Sequence, residues 1–206
     1  MAWVIILIVL LVAFGPILWL RPSRRDRRLA RMRQAAREAG LNVTMVRVPK
    51  LEPELSERVT SGGRVLEPVI ECAAYQQPLP RKLRLQPGWR LLRGSNGLPA
   101  VPGWVFEVGR KPSDPVLRNT LDALASILAR VPEDVIGVEV ADLFVAVYWL
   151  EKPSTVGASG ATSGTAAADS PDVARVGGIA EILREAAASL DALERQLEAA
   201  REEGKI

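Results

Sequence analysis

Histidine is absent from all 206 residues, and cysteine occurs once, at Cys72. Without imidazole the chain lacks the commonest general base and the commonest metal ligand, and every triad built on histidine is excluded. A single thiol excludes an intramolecular disulfide and fits a reducing compartment. HExxH, paired CxxC and EF-hand spacings are missing as well, so neither a metal nor a cofactor is expected. The glycine pairs at 61–63 and 94–97 lack the strand–loop–helix setting and the following Lys-Ser/Thr of a phosphate loop.

What remains for chemistry is thin. Ser56, Thr60 and Ser61 have no base nearby and read as cap or turn residues. Glu133 and Asp134 follow a helix-ending Pro132, while Glu139, Asp142 and Glu151 surround an expected hairpin, where acids are ordinarily solvated. Cys72 lies in a strand-like run and reads as a small core residue. Aromatics are scarce, and Trp89, Trp104 and Trp149 stand in strand patterns that predict core positions rather than a stacking platform. No catalytic residue is assigned, and the chain is not expected to be an enzyme.

The longest absence is of charge. Residues 2–20, AWVIILIVLLVAFGPILWL, contain no ionisable side chain. Nineteen residues at 1.5 Å rise give about 28 Å of helix, close to the hydrocarbon thickness of a bilayer. Trp3 and Trp19 stand one at each end, where indoles favour the headgroup level. Gly15-Pro16 fits a local kink. A secretory signal would want basic residues before the apolar run and small residues at its end. This chain has neither, so a retained transmembrane anchor is expected over residues 1–20.

Charge then arrives all at once. Residues 21–37 hold eight arginines (21, 24, 25, 27, 28, 31, 33 and 37) against Asp26 alone, a net +7 that leaves −4 on the rest of a chain totalling +3. The pI of about 9.3 is therefore a property of one short segment. By the positive-inside rule this flank stays cytoplasmic and the N-terminus crosses, placing the chain in a bacterial inner membrane. Arg21, Arg24, Arg25, Arg27, Arg28 and Arg31 are expected at the membrane interface with Trp3 and Trp19, in contact with anionic lipid. The alternative is that the arginines bind nucleic acid or an acidic partner.

Ser23 can cap a basic amphipathic helix that Gly40 ends, spanning the segment 21–40. Residues 41–152 then alternate between short β-patterned runs and turn signals. Strands are predicted at 41–48, 65–75, 82–85, 89–93 and 104–108, with two more in VIGVEVADLFVAVYWLEK reversing near Ala141-Asp142. One long helix, DPVLRNTLDALASILARV, carries a broad apolar stripe. The fold class is α+β: a small, mostly antiparallel sheet covered on one face by one main helix. Residues 153–175 are dominated by Gly, Ala, Ser and Thr and read as a linker.

Residues 176–203 predict a last helix. Ile179, Leu183, Ala186, Leu190, Leu193, Leu197 and Ala200 repeat at 4-3-4-3-4-3 spacing, the seven-residue pattern of a coiled-coil seam. Pairing with a partner helix or a second copy is expected. The other reading is an amphipathic helix folded back on its own domain. Its seven acids against three arginines over 179–203 also suit it to lie against the basic helix at 23–39.

The apolar run, RPSRRDRRLARMR and, further on, RVTSGGRV resemble the YajC subunit of the bacterial preprotein translocase. The resemblance matches Arg21, Pro22 and Thr60 to Gly63, covers about the first 65 residues, and implies a short span, a basic helix and a small β domain. That family is shorter and has neither the linker nor the terminal helix. Taken together, the residues predict a non-enzymatic membrane-anchored adaptor or accessory subunit, with peripheral lipid or nucleic-acid binding through the arginines as the alternative.

Overall fold

The structure, a computed structural model, describes Trp3 and residues 23–58, 63–65, 67–95, 97–107, 115–153 and 171–204. The expected span, with Trp19 and Arg21, lies outside the described residues except for Trp3, as do Thr60 to Gly62 and most of the linker. Among the described residues no helix is long and apolar enough to cross a membrane.

In chain order the elements are α1 (Arg24–Glu38), β1 (Asn42–Pro49), the single turn α2 (Leu55–Arg58), β2 (Val69–Pro78), β3 (Trp89–Arg93), β4 (Trp104–Phe106), α3 (Pro115–Leu128), β5 (Val135–Val140), β6 (Phe144–Trp149) and α4 (Pro171–Glu202). The class is α+β, as the sequence predicts. Six strands pair antiparallel throughout in the order β1-β2-β6-β5-β3-β4.

Period-two alternation decides the faces. Ala73 and Tyr75 of β2 stand opposite Trp149 and Val147 of β6, which in turn pair with Val135 and Val138 of β5. These side chains form one core with Met32 and Ala36 of α1, Leu117, Leu121 and Leu124 of α3, and Ile179, Leu183 and Leu190 of α4. The opposite face carries the smaller cluster of Val48, Cys72, Ala74, Leu92 and Tyr148. Gly137 belongs to this second face. A Cβ there would stand 2.6 Å from the Tyr148 ring, so the glycine lets Tyr148 lie flat on the sheet.

The helical layer corrects the sequence reading. One main helix was predicted over the sheet, but three cover it. α4 lies across β2 and β6, with α1 and α3 packed against it. Helix α4 begins at Pro171, five residues before the predicted boundary. Its seam positions Ile179, Leu183, Ala186 and Leu190 are buried in the chain's own core, while Leu193, Leu197 and Ala200 are half-buried. The first four are therefore closed by the sheet and its neighbouring helices, which leaves no free seam there for a partner helix. A seven-residue repeat marks one apolar stripe and does not say whose surface will cover it.

The predicted strand at 82–85 is not formed. Its backbone donors turn instead to Glu194 of α4, which accepts from the N–H groups of Arg84 (2.5 Å), Leu85 (2.9 Å) and Gln86 (3.3 Å) and from Gln86 Nε2 (3.1 Å). One buried carboxylate thus supplies the acceptors that a neighbouring strand would have offered.

Candidate functional site at the arginine helix

The helix α1 starts where the sequence demands. Ser23 accepts from the Asp26 backbone N–H through its Oγ (3.1 Å), and Asp26 Oδ2 accepts from the Ser23 N–H (3.1 Å), a reciprocal capping box. The Ser23 hydroxyl also donates to Asp26 Oδ2 (2.7 Å), and that bond first, then the Ser23 N–H, holds the Asp26 carboxyl below the usual carboxylate range. Helical periodicity then divides the arginines between two faces.

Arg28 and Arg33 turn inward. Arg28 grips Asp172 with two nearly parallel bonds, Nε to Oδ2 (2.6 Å) and Nη2 to Oδ1 (3.0 Å). It also donates to the carbonyls of Glu151 (3.1 Å) and Lys152 (2.8 Å). The guanidinium therefore ties together α1, the end of β6 and the start of α4, and the Asp172 carboxylate raises its already high pKa. Its side chain is only 17% exposed. The expectation that Arg28 faces the membrane is thereby corrected: its position on the helix turns it toward the domain.

Arg33 binds both oxygens of Glu151, at 2.9 and 2.5 Å, and Tyr75 Oη donates to the same carboxylate at 2.8 Å. Glu151 is buried and holds a left-handed backbone, φ 51°. Such a conformation costs a β-carbon-bearing residue about 1–3 kcal/mol and persists only where the surroundings over-determine it. Here three charge-assisted bonds do so. Burial first, and then the Glu151 charge, pushes the Tyr75 phenol far above its ordinary range, so it stays a donor.

The network continues around the end of β6. Asp134 accepts from Trp149 Nε1 and from Arg175 Nη2, each at 2.5 Å, and Arg175 also reaches the Lys152 carbonyl (3.2 Å). The Arg175 guanidinium stacks 5.1 Å from the Trp149 ring centre, and Tyr75 meets the same indole at 5.3 Å. The sequence reading missed this cluster. Glu151 was expected in solvent beside a hairpin, whereas it is the buried hub between α1 and β2. A single polar letter after a β-run carries no signal of the arginines that will meet it.

Arg24, Arg25, Arg27 and Arg31 turn outward and are exposed. Arg24, Arg27 and Arg31 fall at i, i+3 and i+7, one stripe along the helix. Of the expected interface set, then, the structure brings these four together on the surface, turns Arg28 inside, and shows Trp3 exposed.

A second polar cluster occupies the other sheet face. Arg90 pairs with Glu107 (2.6 Å) and Glu139 (3.0 Å), and Tyr148 Oη donates to Glu139. Arg90 also lies over the Tyr148 ring at 5.4 Å. Burial, and then the Glu139 bond, pushes the Tyr148 phenol up. Arg90, Glu107 and Glu139 border an open cavity of about 470 Å³ with Gly88 and Phe144. Each glutamate there is held by arginine. Cys72 is buried, and burial, then the Glu151 charge, raises its thiol to about 11, an unreactive state at neutral pH. Trp89, Trp104 and Trp149 are buried.

The site thus joins an α+β domain to an arginine helix by a buried ion-pair network. Comparison with family models, curated proteins and solved structures gives no match in any of the three.

Proposed function

We propose that the protein is a non-enzymatic accessory subunit anchored in a bacterial inner membrane by residues 2–20, with its α+β domain held at the cytoplasmic surface. The observation that carries this reading is the attachment of α1. The helix begins at Arg24, four residues past the end of the apolar run, and is part of the domain core rather than a free stalk: Met32 and Ala36 are fully buried in it. Arg28 and Arg33 fix it to Asp172 and Glu151. A domain connected this way is tethered within a few residues of the apolar run, which suits presenting a surface to a neighbouring membrane protein. The resemblance to the translocase subunit, with its span, basic helix and small β domain, points the same way.

The non-enzymatic part rests on the missing histidine and on how the acids are spent. Glu139, Glu151 and Glu194 are engaged by arginine, tyrosine or backbone donors. Partner contacts fall to outward surfaces of the domain, since most of the α4 seam is closed.

Alkaline carbonate extraction of membranes followed by native electrophoresis of gently solubilised material tests the proposal. Retention in the membrane and migration as a stoichiometric complex larger than the single chain are expected. Release by carbonate contradicts the anchor, and migration as a lone chain contradicts the accessory role.

A further inference from the structure

We propose that the outward stripe Arg24, Arg27 and Arg31, with Arg25 beside it, docks anionic phospholipid headgroups, and that only the first turns of α1 make this contact. The proposal rests on the anchored reading of residues 2–20 and adds to it what the exposed arginines bind.

The three stripe arginines are exposed, and none has an ion-pair partner among the described residues. They span seven residues, about 10 Å along the helix axis. Asp26 offsets one arginine and Asp172 neutralises Arg28, so residues 24–31 present a net charge of +3. That charge begins four residues after the end of the apolar run, close enough for its first arginines to feel the surface the run enters. Each arginine near an anionic leaflet adds a favourable increment that salt screens.

The same stripe changes sign further on. Positions i+10 and i+14 from Arg24 are Gln34 and Glu38, which are exposed and bonded to each other at 2.9 Å. An anionic surface attracts the first two turns but not the fourth, where the exposed charges of Arg37 and Glu38 cancel. The helix therefore meets headgroups at its start, and its last turn adds no net attraction.

Nucleic acid fits the surface less well. Three cations over about 10 Å neutralise few phosphates, since duplex DNA carries one charge per ~1.7 Å. Trp89, Trp104 and Trp149 are buried and provide no stacking platform. The rest of the chain, at −4, repels a polyanion.

The test inserts the full chain into nanodiscs of mixed phosphatidylcholine and phosphatidylglycerol, extracts it mildly, and measures the phosphatidylglycerol fraction that stays bound. Enrichment over the bulk ratio is expected, with loss of that enrichment in the variant R24Q/R25Q/R27Q/R31Q and at raised ionic strength. Arg28→Gln is expected to retain it, because that side chain faces the domain. The four outward changes remove no contact of the core, and an unchanged circular dichroism spectrum checks this. Bound lipid at the bulk ratio, or enrichment unaltered in the fourfold variant, overturns the proposal. So does the finding that the same four arginines bind added duplex DNA to the discs while lipid stays at the bulk ratio. A chain that does not enter the discs overturns the anchored reading, and this proposal with it.

Discussion

Arg28 and Asp172 lie 144 residues apart in sequence and meet in a two-bond ion pair, at 2.6 and 3.0 Å, with both side chains largely withdrawn from water. Removing one partner leaves the other charge partly buried and without its main counter-charge. Arg28→Gln is expected to destabilise the fold by about 1–3 kcal/mol. Asp172→Asn costs somewhat less, because the carbonyls of Glu151 and Lys152 still receive Arg28. The double variant should show a coupling of about 1 kcal/mol or more, read from urea unfolding followed by tryptophan fluorescence. Additive losses would mean that the pair contributes nothing jointly.

At Glu151 two effects can be separated. Glycine relieves the left-handed backbone and alanine does not, while both remove the carboxylate from Arg33 and Tyr75. Both variants are expected to be destabilised, with Glu151→Ala worse than Glu151→Gly by about 1 kcal/mol. Equal stabilities would show that φ at this residue relaxes without cost.

Glycines on opposite sides of the molecule should respond with opposite signs. Gly137→Ala drives a methyl group into the Tyr148 ring and the Leu92 side chain, and is expected to cost about 1–3 kcal/mol. Gly177 and Gly178 sit inside α4 with open space where a Cβ would stand. Alanine at either is expected to stabilise the fold by about 0.5–1 kcal/mol, seen as a raised melting temperature.

Glu194 supplies the acid limit. Burial alone pushes its carboxyl up, but the N–H donors of Arg84, Leu85 and Gln86 outweigh that and hold it below the ordinary range. A depressed folded-state pKa contributes stability that is present above the unfolded value and lost as pH falls through the folded one. Stability should therefore decline below about pH 4.5, and Glu194→Gln should flatten that decline. At neutral pH the same change costs about 1–3 kcal/mol, since an amide presents donors to donors. A steep acid decline unchanged in Glu194→Gln would assign it to other carboxylates.

Cutting the chain after Lys152 should abolish folding, because Ile179, Leu183 and Leu190 fill the core over β2 and β6. A cooperative, thermally melting fragment 1–152 would contradict this placement of α4.

Much of this was legible from periodicity. The alternation of Val145, Val147 and Trp149, the stripe of Leu117, Leu121 and Leu124, and the Ser23 cap all report local geometry that a sequence carries directly. The arginines of α1 were legible as a group, but their division was not. Arg27 and Arg28 are neighbours of identical chemistry, and only the packing of Met32 and Ala36 decides which of them faces the domain. Glu151 and Glu194 escaped for a related reason: a buried carboxylate looks like any other acid until its donors, 118 residues away at Arg33 and 110 at Arg84, are brought to it. The apolar seam of α4 was found, and its partner was the chain's own sheet.

The central claim is that α1 is a fixed part of the domain rather than a stalk. Hydrogen exchange of the full chain in nanodiscs, followed through increasing urea, tests it most directly. If the account holds, the amides of Met32 to Glu38 exchange with the same free energy and urea dependence as those of β2 and β6, and Arg28→Gln with Arg33→Gln uncouples them. Fast, urea-independent exchange along α1 while the sheet stays protected would contradict it.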